Sequence, residues 1–593
     1  MKPTRIRVTF LAVIAAFFAL AEARPASAQA PLEPAQLPAR TLFYLIWRGA
    51  PAPEVRKANS LLALWDDPDF ASVRTALATS MLKSAQEKSP NTTLTPEEIQ
   101  EYASFLENAF TVGYLSEPTK RAAANTAAPN APAANEAKKP AWNGMFFVYN
   151  RTGKEALLAK AILRMRALDK DAPTISQITL GGAAVMKSEG KNGTTYWADH
   201  GKYVVSASER SVMEEILAGV DGKSSTAASL AQTPAYQEAQ PIAGSGVLEF
   251  FIGIPDLKNL AADSKTGGVQ AGPLLEAARL DAIHAISGHL TLEGPKTHFQ
   301  AAIFGDAAPG TPFDIWSSGQ AAPASLALVP ADAVSYSSGQ INFQGVYDMV
   351  KRVARAAFPQ GQQGNADLID TIAQARLGMP LPDAVGVLSG EIATMQVSPS
   401  MDTAKQVFFI GIRKKPEALK LLRSLFGDQL TSERNEGDAT FVKISLGGQQ
   451  GNAGVAQWNF FNLAVTPDMI FGASRTDALR EVLANRAKGA AFASLASVPQ
   501  FQAGRAQFPE NVNSVGYFDL QKMDWQAWKE RLLTDAKKSS AAKSAAATRT
   551  APPAAVPDWY SQINPQVFAR HLHYTSSASW KDAKGIHWDQ WLQ

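Results

Sequence analysis

"YVVSASERSVMEEIL" spans Tyr203–Leu217 and "MIFGASRTDALREVL" spans Met469–Leu483, and reading them as two writings of one segment decides the fold. They stand 266 positions apart (469 − 203). Each runs as a short apolar strand, a serine-bearing turn and an amphipathic helix. Val212, Met213, Ile216 and Leu217 recur at helical spacing, as do Ala478, Leu479, Val482 and Leu483, so each predicted helix carries one apolar stripe. Ser208 and Ser474 are the expected N-caps, because a hydroxyl there accepts from an otherwise orphan amide. Asp477, three residues after Ser474, completes a capping-box pattern. Gly219 and Asn485 stand at the matching far ends; these two residue types best tolerate the left-handed conformation that closes a helix. Leu217 and Leu483 are expected to be buried alike.

The likeness extends outward from both stretches. "GMFFVYNRTGKEALLAKAI" from Gly144 answers "QVFFIGIRKKPEALKLLRS" from Gln406, aligning Phe147 with Phe409 and Leu157 with Leu419. "ITLGG" ending at Gly182 answers "ISLGG" ending at Gly448, and "SLAQTPAY" from Ser229 answers "SLASVPQF" from Ser494. "VLEFFIGIPDL" ending at Leu257 answers "VNSVGYFDL" ending at Leu520. The offsets stay between 262 (409 − 147) and 266 (469 − 203), the mark of an internal duplication. The copies open alike too, "LPARTLFYLIWRG" at Leu37 and "VPADAVSYSSGQI" at Val329, now 292 apart (329 − 37). An Ala/Pro/Asn-rich insertion at 117–140 accounts for the extra length, and the second copy holds a similar one at 537–556. Both have too few large apolar groups to offset their ordering entropy and read as mobile surface loops.

The expected organisation is a signal peptide at 1–28, a first repeat at 29–306, a connector at 307–328 and a second repeat at 329–593. Within the connector, Phe313, Ile315 and Trp316 are apolar enough to pack against one copy. In "DPDF", "TPAY" and "VPQF", Pro68, Pro234 and Pro499 suit a first helical position, where φ is pre-set and no needed donor is lost. Apolar strands such as "GVLEFFIGI", and hairpins expected over His289 to Phe304 and Ser579 to Leu592, interleave with these helices. The fold class is therefore α+β, each copy a mostly antiparallel sheet with packed amphipathic helices.

A strand closing on Ser-Ala-Ser or Gly-Ala-Ser, an amphipathic helix, a "SLA" segment followed by proline and an aromatic, and a strand ending in Asp-Leu, all after an "LPA"-type opening, resemble a bacterial exported family known as domain of unknown function 3352. The resemblance covers most of both copies. It implies an envelope location and implies no reaction and no site residue.

Export is also written at the start of the chain. Lys2, Arg5 and Arg7 precede an apolar run from Val8 to Leu20, and Ala26-Ser27-Ala28 follows, the order of a secretory signal peptide cleaved after Ala28. The apolar run is shorter than the ~20 residues that span a bilayer. That segment holds Lys2, Arg5, Arg7 and Arg24 against Glu22, so it carries the whole formal charge of +3 and leaves the mature chain neutral. Neutrality removes the usual first support for nucleic-acid binding and for electrostatic binding to anionic lipid surfaces. The chain has no cysteine, hence no disulfide and no thiolate metal site, while 46% hydrophobic residues allow a self-sufficient core. The expectation is a periplasmic or secreted protein with no transmembrane segment after cleavage.

Candidate chemistry is sparse. Asp66, Asp67 and Asp69 cluster as carboxylates do around metals, but Pro68 makes a helix start with Asp67 as its cap the better reading. "GGQQGNAG" from Gly447 lacks the Gly-Lys-Ser/Thr ending of a phosphate loop and precedes a strand-like "WNFFNLAV", so it reads as a hairpin loop. His571 and His573 could share a strand face, with His587 nearby, yet two imidazoles are not a zinc site. Ser245 in "GSG" fails the nucleophile-elbow pattern, and no His-Glu-x-x-His occurs. Polar positions mostly differ between copies: Glu209 faces Arg475 and Arg210 faces Thr476. No catalytic, cofactor-binding or metal-ligating residue is assigned. The expected function is a binding or scaffolding module for an envelope protein or small ligand, without nucleic acid. The alternatives are an exported hydrolase with a dispersed active site and a carrier of an apolar ligand at the junction of the repeats.

Overall fold

The computed structural model of the 593-residue chain describes residues 30–75, 98, 101, 104–116, 144–168, 174–190, 193–223, 228–240, 242, 246–254, 265–266, 269–317, 322–358, 368–400, 405–445, 460–534 and 563–593. The signal segment 1–28, both Ala-rich insertions, Ser245 and the loop from Gly447 lie outside these residues. The chain divides into two compact units. Of the described residues, the first takes those up to 254 with 285–299 and 563–567, and the second takes 265–284, 300–534 and 568–593.

The first unit is built on strands β1 (Thr41–Trp47), β2 (Phe110–Leu115), β3 (Met145–Asn150), β4 (Thr174–Leu180), β5 (Ala183–Gly190), β6 (Gly193–His200), β7 (Tyr203–Ala207) and β8 (Leu248–Gly253). Residues 285–293 of β11 (Ile283–Glu293) also belong to it, whereas the two-residue pair β9 (Lys265–Thr266) with β10 (Val269–Gln270) and residues 300–305 of β12 (Lys296–Gly305) fall in the second unit. Residues 285–290 of β11 pair with β8. Every ladder is antiparallel, in the order β4-β5-β6-β7-β3-β2-β1-β8-β11. Helices α1 (Pro53–Ala58), α2 (Ser60–Asp66), α3 (Glu155–Leu168), α4 (Arg210–Val220) and α5 (Pro234–Ala239) complete it.

The second unit holds β13 (Ser335–Gln340), β14 (Leu388–Gln396), β15 (Gln406–Ile412), β16 (Leu430–Glu436), β17 (Ala439–Ser445), β18 (Phe460–Val465), β19 (Met469–Ala473), β20 (Ser514–Asp519), β21 (Tyr574–Asp582) and β22 (Gly585–Leu592). They pair antiparallel in the order β16-β17-β18-β19-β15-β14-β13-β20-β21-β22. Its helices are α6 (Ala271–Ala277), α7 (Phe343–Ala357), α8 (Leu368–Leu377), α9 (Leu381–Gly386), α10 (Lys415–Phe426), α11 (Thr476–Lys488) and α12 (Pro499–Arg505), and α13 (Gln566–His571) follows later in the chain. The mixed helix and strand content with extended antiparallel sheet is α+β. No described helix is long and apolar enough to cross a membrane.

The strand–helix segments form as the spacing predicts. In α4, Val212, Met213, Ile216 and Leu217 are all buried; in α11, Leu479 and Val482 are buried while Ala478 and Leu483 are only half-buried. The stripe is therefore narrower in α11, and Leu217 and Leu483 are not alike. Pro68, Pro234 and Pro499 each open a helical turn, and Phe70, Tyr236 and Phe501, two residues on, are buried.

Three local expectations are corrected. Glu209 and Arg475, one residue later than the serines, are the N-caps of α4 and α11. Ser208 instead accepts from the Gly144 amide at 3.0 Å and donates to the Met145 carbonyl at 3.2 Å, joining the end of β7 to the start of β3. Gly219 and Asn485 lie inside their helices, and the positive-φ glycines that follow are Gly222 (φ 66°) and Gly489 (φ 54°). Gly219 serves close approach: a Cβ there would collide with the carbonyl oxygen of Gln36. Finally, Phe147 is 39% exposed whereas Phe409 is fully buried. In β3 it is Phe146 and Val148 that turn inward, as Val407 and Phe409 do in β15. The alignment of the two "FF" pairs is one residue out of step, and in a strand a single-residue slip exchanges the faces.

Candidate functional site

The sequence candidates have structural employment. Asp67 caps the turn Pro68–Phe70, accepting from the Asp69 amide at 2.9 Å. Asp66 pairs through both oxygens with the buried guanidinium of Arg56, at 3.0 Å from Nε and 2.5 Å from Nη2. His571 and His573 do not share a strand: the first ends α13 and the second precedes β21. The Pro-Gln-Val-Phe sequence before them winds into a helix, and that destroys the alternation needed to point both rings one way. His573 Nδ1 lies 2.5 Å from Gln521 Nε2. His587, on β22, stacks on Trp580 with ring centroids 5.2 Å apart and meets the Phe304 ring edge-on at 5.9 Å. Its Nε2 is 3.1 Å from Asp582 Oδ2, close enough for an ion pair but without hydrogen-bond geometry. Among the described residues no three His, Asp or Glu side chains converge as metal ligands would.

The strongest concentration of buried polar chemistry is one the motifs do not mark. In the first unit, β1 supplies Tyr44 and leads into Arg48, β8 supplies Glu249, β11 supplies His289, α5 supplies Tyr236, and the 3-10 turn Pro34–Gln36 is preceded by Glu33. Glu249 is wholly buried. The Tyr44 hydroxyl donates to its Oε1, and Arg48 Nη2 lies 3.3 Å from its Oε2. Arg48 also donates to the Gly246 carbonyl at 3.1 Å and grips Glu33 through Nη1 and Nη2, the latter at 3.1 Å. Tyr44, Tyr236 and Phe251 pack as an aromatic trio with centroids 5.4 to 6.3 Å apart. His289 stands opposite Glu249 in the ladder, with Nδ1 against the Ile242 carbonyl.

The electrostatics follow from burial. Loss of water pushes the Tyr44 phenol far above its ordinary range, and the neighbouring Glu249 charge adds to the rise, so the group stays a proton donor at neutral pH. Burial raises Tyr236 as well. Burial works against the Arg48 charge, but Glu33 and Glu249 outweigh it and its pKa is raised. A carboxylate, two phenols, an imidazole and a guanidinium are the ingredients of acid–base chemistry. Here they are spent on one another, and both oxygens of Glu249 are taken. A depression of about 390 Å³ lies elsewhere, at the start of α3, open to solvent and lined by Glu101, residues 153–157 and Lys160.

The second unit holds its own set of buried polar contacts. Tyr336 on β13 shares a hydrogen bond with the Ser325 hydroxyl at 2.8 Å, and Glu391 accepts from the amides of Ala324 and Ser325 at 3.0 and 2.8 Å. A separate pair, His200 and Asp221, touches through Nε2 and Oδ1; His200 first, then Lys223, holds the Asp221 carboxyl below its usual range. No hydroxyl nucleophile among the described residues hydrogen-bonds that ring. A visible sequence signal did exist for the buried cluster: Glu249 interrupts the apolar run "VLEFFIGI", and Arg48 closes "LFYLIWR". No known family, curated protein or solved structure matches the chain.

Proposed function

We propose that the protein is an exported envelope component that binds or scaffolds another one, built from two copies of a single α+β unit. The duplication is supported by the pairing orders: β4-β5-β6-β7-β3-β2-β1-β8-β11 in the first unit runs step for step with β16-β17-β18-β19-β15-β14-β13-β20-β21 in the second. Isolated bridges Pro38 to Ser229 and Pro330 to Ser494 recur at corresponding places. The observation that carries the binding role is the use of the buried polar groups. Around Tyr44 they form a salt-bridged clamp, and around Tyr336 they cap a turn, so each set holds its own unit together and neither presents a reacting atom.

The test is expression in a bacterial host with fractionation, intact mass and cross-linking of the native envelope fraction. The expected result is a chain beginning at Gln29, outside the cytoplasm, cross-linked reproducibly to one envelope component. A cytoplasmic chain retaining Met1, or hydrolysis of ester or peptide substrates that survives purification to homogeneity, would overturn the reading.

A further inference from the structure

We infer that the free edge of strand β4 is an interface for a second copy of this chain, the two β4 strands pairing antiparallel about a two-fold axis at Gln177. The inference goes beyond the envelope reading and holds whether or not the chain is exported.

β4 ends the first unit's ladder. Among the described residues it pairs with β5 alone, in unbroken register from Thr174 opposite Glu189 to Leu180 opposite Ala183. A two-residue turn of Gly181 (φ 57°) and Gly182 (φ 85°) joins the two strands. Such a turn makes Leu180 and Ala183 a hydrogen-bonded pair, and antiparallel alternation then directs the amides and carbonyls of Ile175, Gln177 and Thr179 away from β5. The side chains of Thr174, Ser176, Gln177 and Thr179 are exposed.

An unpaired edge is a template for another strand, and proteins normally blunt it with charge, proline or a bulge. The β4 sequence "TISQITL" uses none of these devices: it has no charged residue, no proline and no irregularity in its ladder, and Thr174, Ile175, Ile178 and Thr179 are β-branched. β16, which ends the second unit's ladder, is the opposite case. Its "LTSERNE" holds Glu433, Arg434 and Glu436, and its register with β17 shifts between Leu430 and Ser432. Glu433 is gripped by Arg423 through Nε at 3.0 Å and Nη2 at 2.6 Å. One edge is guarded and the other is open.

The sequence of β4 selects the occupant. Antiparallel pairing of two copies centred on Gln177 sets Ile175 opposite Thr179 and Ser176 opposite Ile178, so each isoleucine meets a small hydroxyl residue. Gln177 meets the same residue of the other copy, and an amide side chain both donates and accepts. The three residues whose backbone groups point outward then occupy the hydrogen-bonded positions, which gives about six bonds across the seam. No like charges face each other, whereas the same operation on β16 would set Glu433 against Glu433. A charged partner strand would find no charge on β4 to answer it. The pairing is isologous and consumes the edge, so it closes at a dimer and does not propagate.

The experiment is sedimentation velocity of the purified protein from about 1 to 100 µM, the range of affinity suited to a small interface, with cysteine cross-linking to read the register. The expected result is a monomer–dimer equilibrium. Gln177→Lys sets two ammonium groups face to face, and Gln177→Pro removes an outward amide at an edge position that tolerates proline; each should weaken dimerisation about tenfold. Ser432→Lys on β16 should leave it unchanged. Both sites are exposed, and circular dichroism with an unchanged Tm verifies that the variants fold. The chain has no cysteine of its own, so Gln177→Cys oxidised with copper phenanthroline should give a disulfide-linked dimer, while Ser176→Cys, opposite Ile178 in this register, should give little. A monomer at every concentration, a dimer indifferent to Gln177→Lys, or loss on Ser432→Lys overturns the proposal. So does equal cross-linking of the two cysteine variants, since the two-fold axis would not then lie at Gln177.

Discussion

Tyr44 and Glu249, 205 positions apart in sequence, meet in the first unit where the phenol donates to a carboxylate that no solvent touches. Arg48 supplies the opposing charge from the solvent side and is itself gripped by Glu33. The order of dependence is thus fixed: the buried member is Glu249, and Arg48 is the partner whose loss strands it. Arg48→Ala should cost about 3 kcal/mol, since removing one partner leaves an uncompensated buried charge, whereas replacing the set with apolar groups is far milder. Arg48→Ala combined with Glu249→Leu should recover most of the loss in equilibrium urea denaturation. A double variant as unstable as Arg48→Ala would show that the carboxylate is not what the arginine stabilises.

A second prediction concerns alkaline pH. Burial raises the phenol pKa values of Tyr44 and Tyr336 above the ordinary 10.0, with Glu249 and Glu391 as the neighbouring carboxylates adding to the rise. A group raised in the folded state contributes stability that is fully present below the unfolded value and lost as pH climbs past it. Above about pH 10 the unfolded chain releases these protons and the folded one does not, so each phenol steepens the decline by about 1.4 kcal/mol per pH unit. Absorbance at 295 nm should rise first through the accessible tyrosines and then in a cooperative step coincident with loss of circular dichroism. Tyr336→Phe should reduce the slope of that decline by one such increment. A smooth titration of all tyrosines in a chain still folded would refute the assignment.

Much of this was readable beforehand, and the failures have identifiable causes. The apolar stripe of α4, the prolines opening turns at 68, 234 and 499, and the closing hairpins depend on contacts within a few residues, which a linear sequence displays. The face of Phe147 does not: "MFFVY" is apolar throughout, so it has no alternation to say which residue turns inward, and the ladder with β7 decides it. The buried clamp joins Glu33, Tyr44, Arg48 and Glu249, whose partners lie up to about two hundred residues away, beyond any motif. Residue type alone gives Gly219 a left-handed role. The structure assigns that role three residues later.

That displacement gives a third prediction. Gly219→Ala should destabilise by several kcal/mol or prevent folding, because the added carbon meets the backbone of Gln36 and not a movable side chain. Gly222→Ala should cost only about 1–2 kcal/mol, the penalty of a left-handed conformation in open space. Thermal denaturation of the two variants separates the roles, and equal losses would mean that Gln36 yields.

The fourth prediction separates the two helices that open the argument. Leu217 is buried in α4, whereas Leu483 is only half-buried against the core of the second unit. Truncating a fully buried leucine costs about 2–5 kcal/mol, and the loss falls with the apolar area and cavity actually created. Leu217→Ala should therefore be the more damaging by at least about 1 kcal/mol. Ile216→Ala and Val482→Ala, both at completely enclosed positions, form the matched pair. These should differ only by the methylene that isoleucine has over valine, about 1 kcal/mol. Urea titrations of all four variants decide the matter. If Leu483→Ala proves as costly as Leu217→Ala while the enclosed pair diverges, the two helices do not occupy corresponding places, and the duplication of the strand–helix segment loses its energetic support.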